Sequence, residues 1–168
     1  MKRIFPLLML AVFALAACGP EHGTHQEGTP TGYIVGNVTV TNGDGEGIDY
    51  QKQNVKAELT LIDEQNSKYN IILYKVNFSS KMPVNIDMTI PGVDISAQGQ
   101  ISGDSIVPYA GLLGEYPKYT IRNLSGRVIF KEDGKPAAIY FDMLCGKYPT
   151  NYYGLYKEVE EQETQQDN

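Results

Sequence analysis

The 168-residue chain has no tryptophan, and its two histidines, His22 and His25, both lie near the start. No imidazole is available after residue 25. General acid–base work there would fall to carboxylates and tyrosines alone. A zinc-protease HExxH site is excluded, and neither a nucleophile elbow nor a phosphate-cradling glycine loop is present. Only two cysteines occur, Cys18 and Cys145. Cations are few as well: 14 Lys and Arg stand against 20 Asp and Glu, for a net charge of −6. That balance argues against nucleic acid as a partner, because phosphates need a basic surface. The expectation is a chain that is not an enzyme and carries no cofactor.

Long apolar runs are also missing, with one exception. Lys2 and Arg3 precede IFPLLMLAVFALAA, residues 4–17. The run falls short of the roughly 20 residues that a spanning helix needs. It fits the apolar region of a secretory signal. It ends in LAAC, Leu15 to Cys18, which resembles the lipobox of bacterial lipoproteins. The resemblance implies cleavage after Ala17 and a lipid on Cys18, so residues 1–17 are read as a signal peptide. Each buried methylene contributes about 0.8 kcal/mol to anchoring, and several chains together hold durably. Gly19 stands where an inner-membrane retention signal usually has Asp, which implies the outer membrane, on its periplasmic face or at the cell surface. With Cys18 lipidated, Cys145 has no internal disulfide partner and reads as a small buried hydrophobe.

Residues 18–32 read as the lipidated cysteine and a flexible tether. His22 and His25, with Glu21 and Glu27, sit on that tether, and a flexible segment does not hold ligands in a fixed geometry. Asp44, Glu46 and Asp49 share the composition of a calcium loop but not the EF-hand spacing, so a hairpin connection is expected. No metal site is predicted. At the other end, residues 157–168 carry one Lys against five acids and read as a disordered acidic tail.

Between these segments the chain reads as strands. Residues 32–41 are rich in β-branched side chains. Residues 52–62 alternate, with Val55, Ala57, Leu59 and Leu61 on one face. Residues 68–80 follow. In KMPVNIDMTIPGV, residues 81–93, the alternation predicts Val84, Ile86, Met88 and Ile90 inward and Asn85, Asp87 and Thr89 outward, closed by Pro91-Gly92. Residues 95–102 are weaker and 103–117 looser. KYTIRNL (118–124) and RVIFK (127–131) flank Ser125-Gly126. Asp133-Gly134 signals a hairpin. Residues 137–145 then place Ile139, Phe141, Met143 and Cys145 on one face, and a short last strand is read at 151–156. About eight strands and no convincing helix predict an antiparallel barrel or sandwich.

Three segments, FSSKMPVNIDMTIPGV (78–93), ISGDSIVPYAG (101–111) and YTIRNLSGRV (119–128), resemble the calycin-like β-barrel domain of gut-type Gram-negative lipoproteins. The resemblance spans most of residues 33–150 and implies an all-β, antiparallel eight-stranded calycin/lipocalin-like barrel over 33–156. It implies no activity. Eight strands leave room for interior side chains or for one small ligand. If the barrel binds a small apolar or amphipathic ligand, Ile86, Met88, Tyr119, Phe141 and Met143 are the candidates to touch it. The other reading is a solid barrel that serves as a protein- or glycan-interaction module. The twelve tyrosines suit wet interfaces. Tyr148, Tyr152, Tyr153 and Tyr156 would either form such a surface or close one end of the barrel.

Overall fold

The computed structural model of the chain describes residues 32–42 and 47–158. Cys18, the tether with His22 and His25, Asp44 and Glu46, and the tail from residue 159 lie outside the described residues. The strands are β1 Gly32–Thr41, β2 Ile48–Asp63, β3 Lys68–Val76, β4 Ile86–Ile95, β5 Gln100–Gly103, β6 Tyr109–Ala110, β7 Ile121–Phe130, β8 Pro136–Cys145 and β9 Tyr148–Glu158. Every pairing is antiparallel. The ring runs β1-β2-β3-β4-β5-β7-β8-β9 and returns to β1, so eight strands close a barrel, as expected. Strand β6 is an extra two-residue pairing outside that ring, on β4. Closure matters because it leaves no long unpaired edge to template aggregation.

Alternation explains the wall. Along β8, Ile139, Phe141, Met143 and Cys145 are buried while Tyr140 and Asp142 are exposed. Along β4, Met88 and Ile90 are buried and Asp87 is exposed, as the period of two requires. Val84, expected inward, is 60% exposed instead. Strand β4 begins only at Ile86, so no pleat aims Val84 at the core. Pro91-Gly92 does not end the strand. It forms a bulge: Ile71 faces Ile90 but Tyr69 faces Val93, which puts three steps on β4 against two on β3. Gly92 takes a φ of 67°, as glycine does readily. The bulge returns Val93 and Ile95 to the inside. Leu61, also expected inward, is 47% exposed. Strand β1 starts at Gly32 and pairs with β2 no farther along than Ala57, so the end of β2 projects past it.

Two other boundaries differ. Ser125-Gly126 does not punctuate the chain, because β7 runs through both residues. Gly126 faces Phe141, and a side chain there would meet the Phe141 Cβ at 2.6 Å. The glycine thus marks a close approach rather than a turn. Strand β9 is longer than expected and reaches Glu158, including Lys157 and Glu158 from the segment read as tail. Among the described residues, helix is confined to 3-10 turns at Gly111–Leu113 and Pro117–Tyr119, and no helix is long and apolar enough to cross a membrane.

The two ends of the barrel differ. The end where the chain enters at Gly32 has short connections at 64–67, 96–99 and 131–135. The far end carries longer ones, 77–85 and 104–120, together with the turn at 146–147. There Tyr119 makes ring contacts with Phe78, Tyr116 and Tyr148 at centroid distances of 5.7, 5.1 and 6.3 Å. Its hydroxyl donates to the Met82 sulfur at 3.7 Å. These contacts cap the far end.

Candidate functional site

The interior is the first place to look for a site. Ile71, Leu73, Met88, Ile90, Val93, Ile101, Ile121, Ile139 and Cys145 each expose 0% of their surface. A void wide enough for a water molecule would leave its lining residues some accessible surface, and these have none. Tyr152 lies along the inner wall. Its ring stacks on Phe141 with centroids 5.4 Å apart, and its hydroxyl reaches over β1 to donate to the Val55 carbonyl of β2 at 3.0 Å. Gly154 makes this path feasible, because a side chain there would stand 2.6 Å from the Tyr152 hydroxyl. Burial raises the Tyr152 phenol and the Cys145 thiol well above their usual pKa values. Both stay neutral at physiological pH.

The five candidate ligand-touching residues therefore fall into three places. Met88, Phe141 and Met143 belong to the central core cluster. Tyr119, 5% exposed, forms the hub of the aromatic cap. Ile86 is half-buried at the start of β4, packed against the core. Met88, Tyr119, Phe141 and Met143 are all members of the buried core cluster, and Ile86 packs against it. The four late tyrosines are also split. Tyr152 is core, Tyr148 joins the cap, Tyr153 is 54% exposed, and the ring of Tyr156 lies under the Lys131 ammonium at 3.9 Å.

The outer wall holds a feature that single-strand patterns do not reveal. Register aligns Val35 of β1, Leu155 of β9, Ala138 of β8 and Ile129 of β7 in one row across four strands. Leu155 and Ile129 are 49% and 50% exposed. Ala138 is buried between them, and Val35 is half-buried. The next outward row pairs Tyr153 with Tyr140, which in turn faces Arg127. A shallow cleft of about 400 Å³, lined in part by Arg127, Ile129, Phe130 and Tyr140, continues the surface. Large apolar side chains this exposed and this contiguous are uncommon on a wall meant only for water.

The wall of β2, β3 and β4 is built differently. The Lys56 ammonium lies over the rings of Tyr33 and Tyr74, at 5.1 and 5.0 Å. The Tyr74 hydroxyl donates to Glu58 at 2.8 Å, Asp87 accepts the Lys75 amide hydrogen at 2.7 Å, and Lys68 pairs with Asp94 at 2.7 Å. Asp87 and Asp94 thus serve separate structural contacts rather than acting as a carboxylate pair. Among the described residues no group of three His, Cys, Asp or Glu side chains could hold a metal. No protein-family model, curated protein or solved structure matches the chain.

Proposed function

We propose that this chain is an outer-membrane lipoprotein, anchored by lipid on Cys18, whose solid calycin-like barrel recognises a protein partner through its outer wall. The observation that carries the reading is the apolar row Val35–Leu155–Ala138–Ile129, beside the Tyr140–Tyr153 pair, on a barrel whose centre is closed to water. Tyrosines beside exposed aliphatic groups make the kind of patch that protein interfaces bury. A small ligand inside the barrel is the weaker reading, since it would have to displace Tyr152 or Phe141 from the core.

The wall is tested by Leu155→Glu. Capture from solubilised host membranes should recover a partner with the wild-type protein and lose it with the variant, while the melting temperature hardly moves. Equal recovery by both proteins would defeat the proposal. So would native mass spectrometry of host-purified protein that retains a small molecule lost on unfolding, since that result favours a ligand in the barrel. The anchor is tested separately by Cys18→Ser. The variant should leave the membrane fraction and take up no labelled fatty acid.

A further inference from the structure

We infer that the far end of the barrel carries an anion-binding cleft suited to a phosphate or sulfate monoester. The cleft, of about 230 Å³, is lined by Pro117, Lys118, Thr120, Arg122, Gly146, Lys147 and Tyr148. Three of these seven residues are cationic and none is acidic, in a chain whose net charge is −6. Among the described residues, the carboxylate–cation contacts within 4 Å are Lys68–Asp94 and Lys135–Asp133, and neither involves the cleft. The acidic group on which Arg122 acts is Asp104. Its carboxyl is held below the usual range by the Asn123 amide and the Ser105 hydroxyl, with Arg122 a smaller cause. Asp104 accepts the Asn123 amide hydrogen at 2.9 Å and so is already engaged.

The frame beneath the cations is rigid. Lys118 and Thr120 flank buried Tyr119, Arg122 follows fully buried Ile121, and Lys147 stands two residues after fully buried Cys145. Arg122 pairs in register with Leu144, and the Gly146 amide donates to the Thr120 carbonyl at 3.0 Å. Gly146 has a φ of 61°, and a side chain there would stand 2.4 Å from the Lys118 carbonyl oxygen. The two backbone segments are thus held together at a distance that only glycine permits. Long cationic side chains on a fixed base lose less freedom on capturing an anion than those on a loose loop. The Arg122 guanidinium can present two parallel N–H donors to a phosphate or sulfate, with the two lysines as point charges. The half-buried Tyr148 ring borders the cleft, with the Lys147 ammonium over it at 5.5 Å from the centroid. The site lies on the end away from Gly32, about 20 Å along β8 from the apolar row. It does not depend on the outer-wall reading.

Calorimetric titration of the purified full-length protein tests the inference, with inorganic phosphate, glucose 6-phosphate and glucose as probes. Both phosphates should bind, glucose should not, and Arg122→Ala or Lys147→Ala should each weaken binding about tenfold. Lys157→Ala, at the opposite end, should leave it unchanged. Flotation of the unlipidated Cys18→Ser protein with phosphatidylcholine vesicles, with and without phosphatidic acid, distinguishes a lipid headgroup from a soluble ester. Recruitment by phosphatidic acid that Arg122→Ala abolishes assigns the anion to lipid, and soluble binding without recruitment assigns it to a free ester. Absence of binding in every arm would overturn the proposal, as would equal weakening by Lys157→Ala and Arg122→Ala.

Discussion

Two walls of the same barrel share one interior and meet solvent differently. The wall of β2, β3 and β4 engages the middle of its outward face in polar and ring contacts, Lys56 with two tyrosine rings, Tyr74 with Glu58, Lys68 with Asp94, and leaves exposed aliphatic groups only towards the two ends of β2, at Ile48, Leu61 and Ile62. The wall of β7, β8, β9 and β1 leaves Ile129, Tyr140, Tyr153 and Leu155 between 42% and 54% exposed. Buried inward residues lie behind both, Val55, Ala57, Ile71, Leu73, Met88 and Ile90 behind one and Val128, Ile139, Phe141 and Tyr152 behind the other. The fold therefore does not require the outer apolar row, and its presence calls for a different explanation. That contrast is why recognition is assigned to one wall and not to the other.

The comparison assumes that the interior, not either wall, holds the barrel together. Tyr152→Ala tests this most severely. It removes a ring stacked on Phe141 and a buried hydrogen bond that ties β9 over β1 to Val55 of β2. Large aromatic-to-alanine changes in cores cost about 3–5 kcal/mol. Urea denaturation should show a loss in that range at unchanged m-value. A loss under about 1 kcal/mol would mean the walls carry the stability, and the contrast between them would need another meaning.

Met88→Trp asks whether the space between the walls is filled. Met88 is fully buried and faces Leu73 across β3 and β4. Overpacking such a site costs about 1–3 kcal/mol. A lowered melting temperature is expected. A variant as stable as the wild type would mean that the interior has room, and would revive the barrel as a ligand cavity.

How much of this was legible beforehand differs by level. The strands of the barrel and the inward set Ile139, Phe141, Met143 and Cys145 follow from a period of two, which is local. Pro91-Gly92 reads equally as a strand end or a bulge, because those residue types serve both purposes. Val84 reads as inward because alternation continues in the sequence before the pleat begins. The outer row was out of reach. Residues 35, 129, 138 and 155 become neighbours only through the register of three separate strand pairs. The cap and the cationic cleft escaped for the same reason, since they join residues 78, 119 and 148, and 118, 122 and 147, through long-range pairing. Tyr119 reads from the sequence as an inward aromatic on a strand; it is buried in the core cluster, but on a 3-10 turn at the end of the barrel.

The smallest effect expected belongs to the polar wall, and it should depend on pH. The Tyr74 phenol is raised to about 12, chiefly by burial and then by its hydrogen bond to Glu58. Its unfolded value is about 10. The folded state thus favours the protonated phenol. That contribution is fully present below pH about 10 and is lost as pH rises towards 12. Tyr74→Phe removes the hydroxyl while keeping the ring under Lys56. At neutral pH the variant should lose about 1 kcal/mol or less, as a partly exposed hydrogen bond warrants. Between pH 10 and 12 the wild-type advantage should shrink. The other raised tyrosines, Tyr119 and Tyr152, are present in both proteins and cancel in the difference. Partner capture should be untouched, because Tyr74 lies on the wall opposite in character. Parallel stability curves across that window would mean that the Glu58 contact contributes nothing. Loss of the partner in Tyr74→Phe would break the division between the walls.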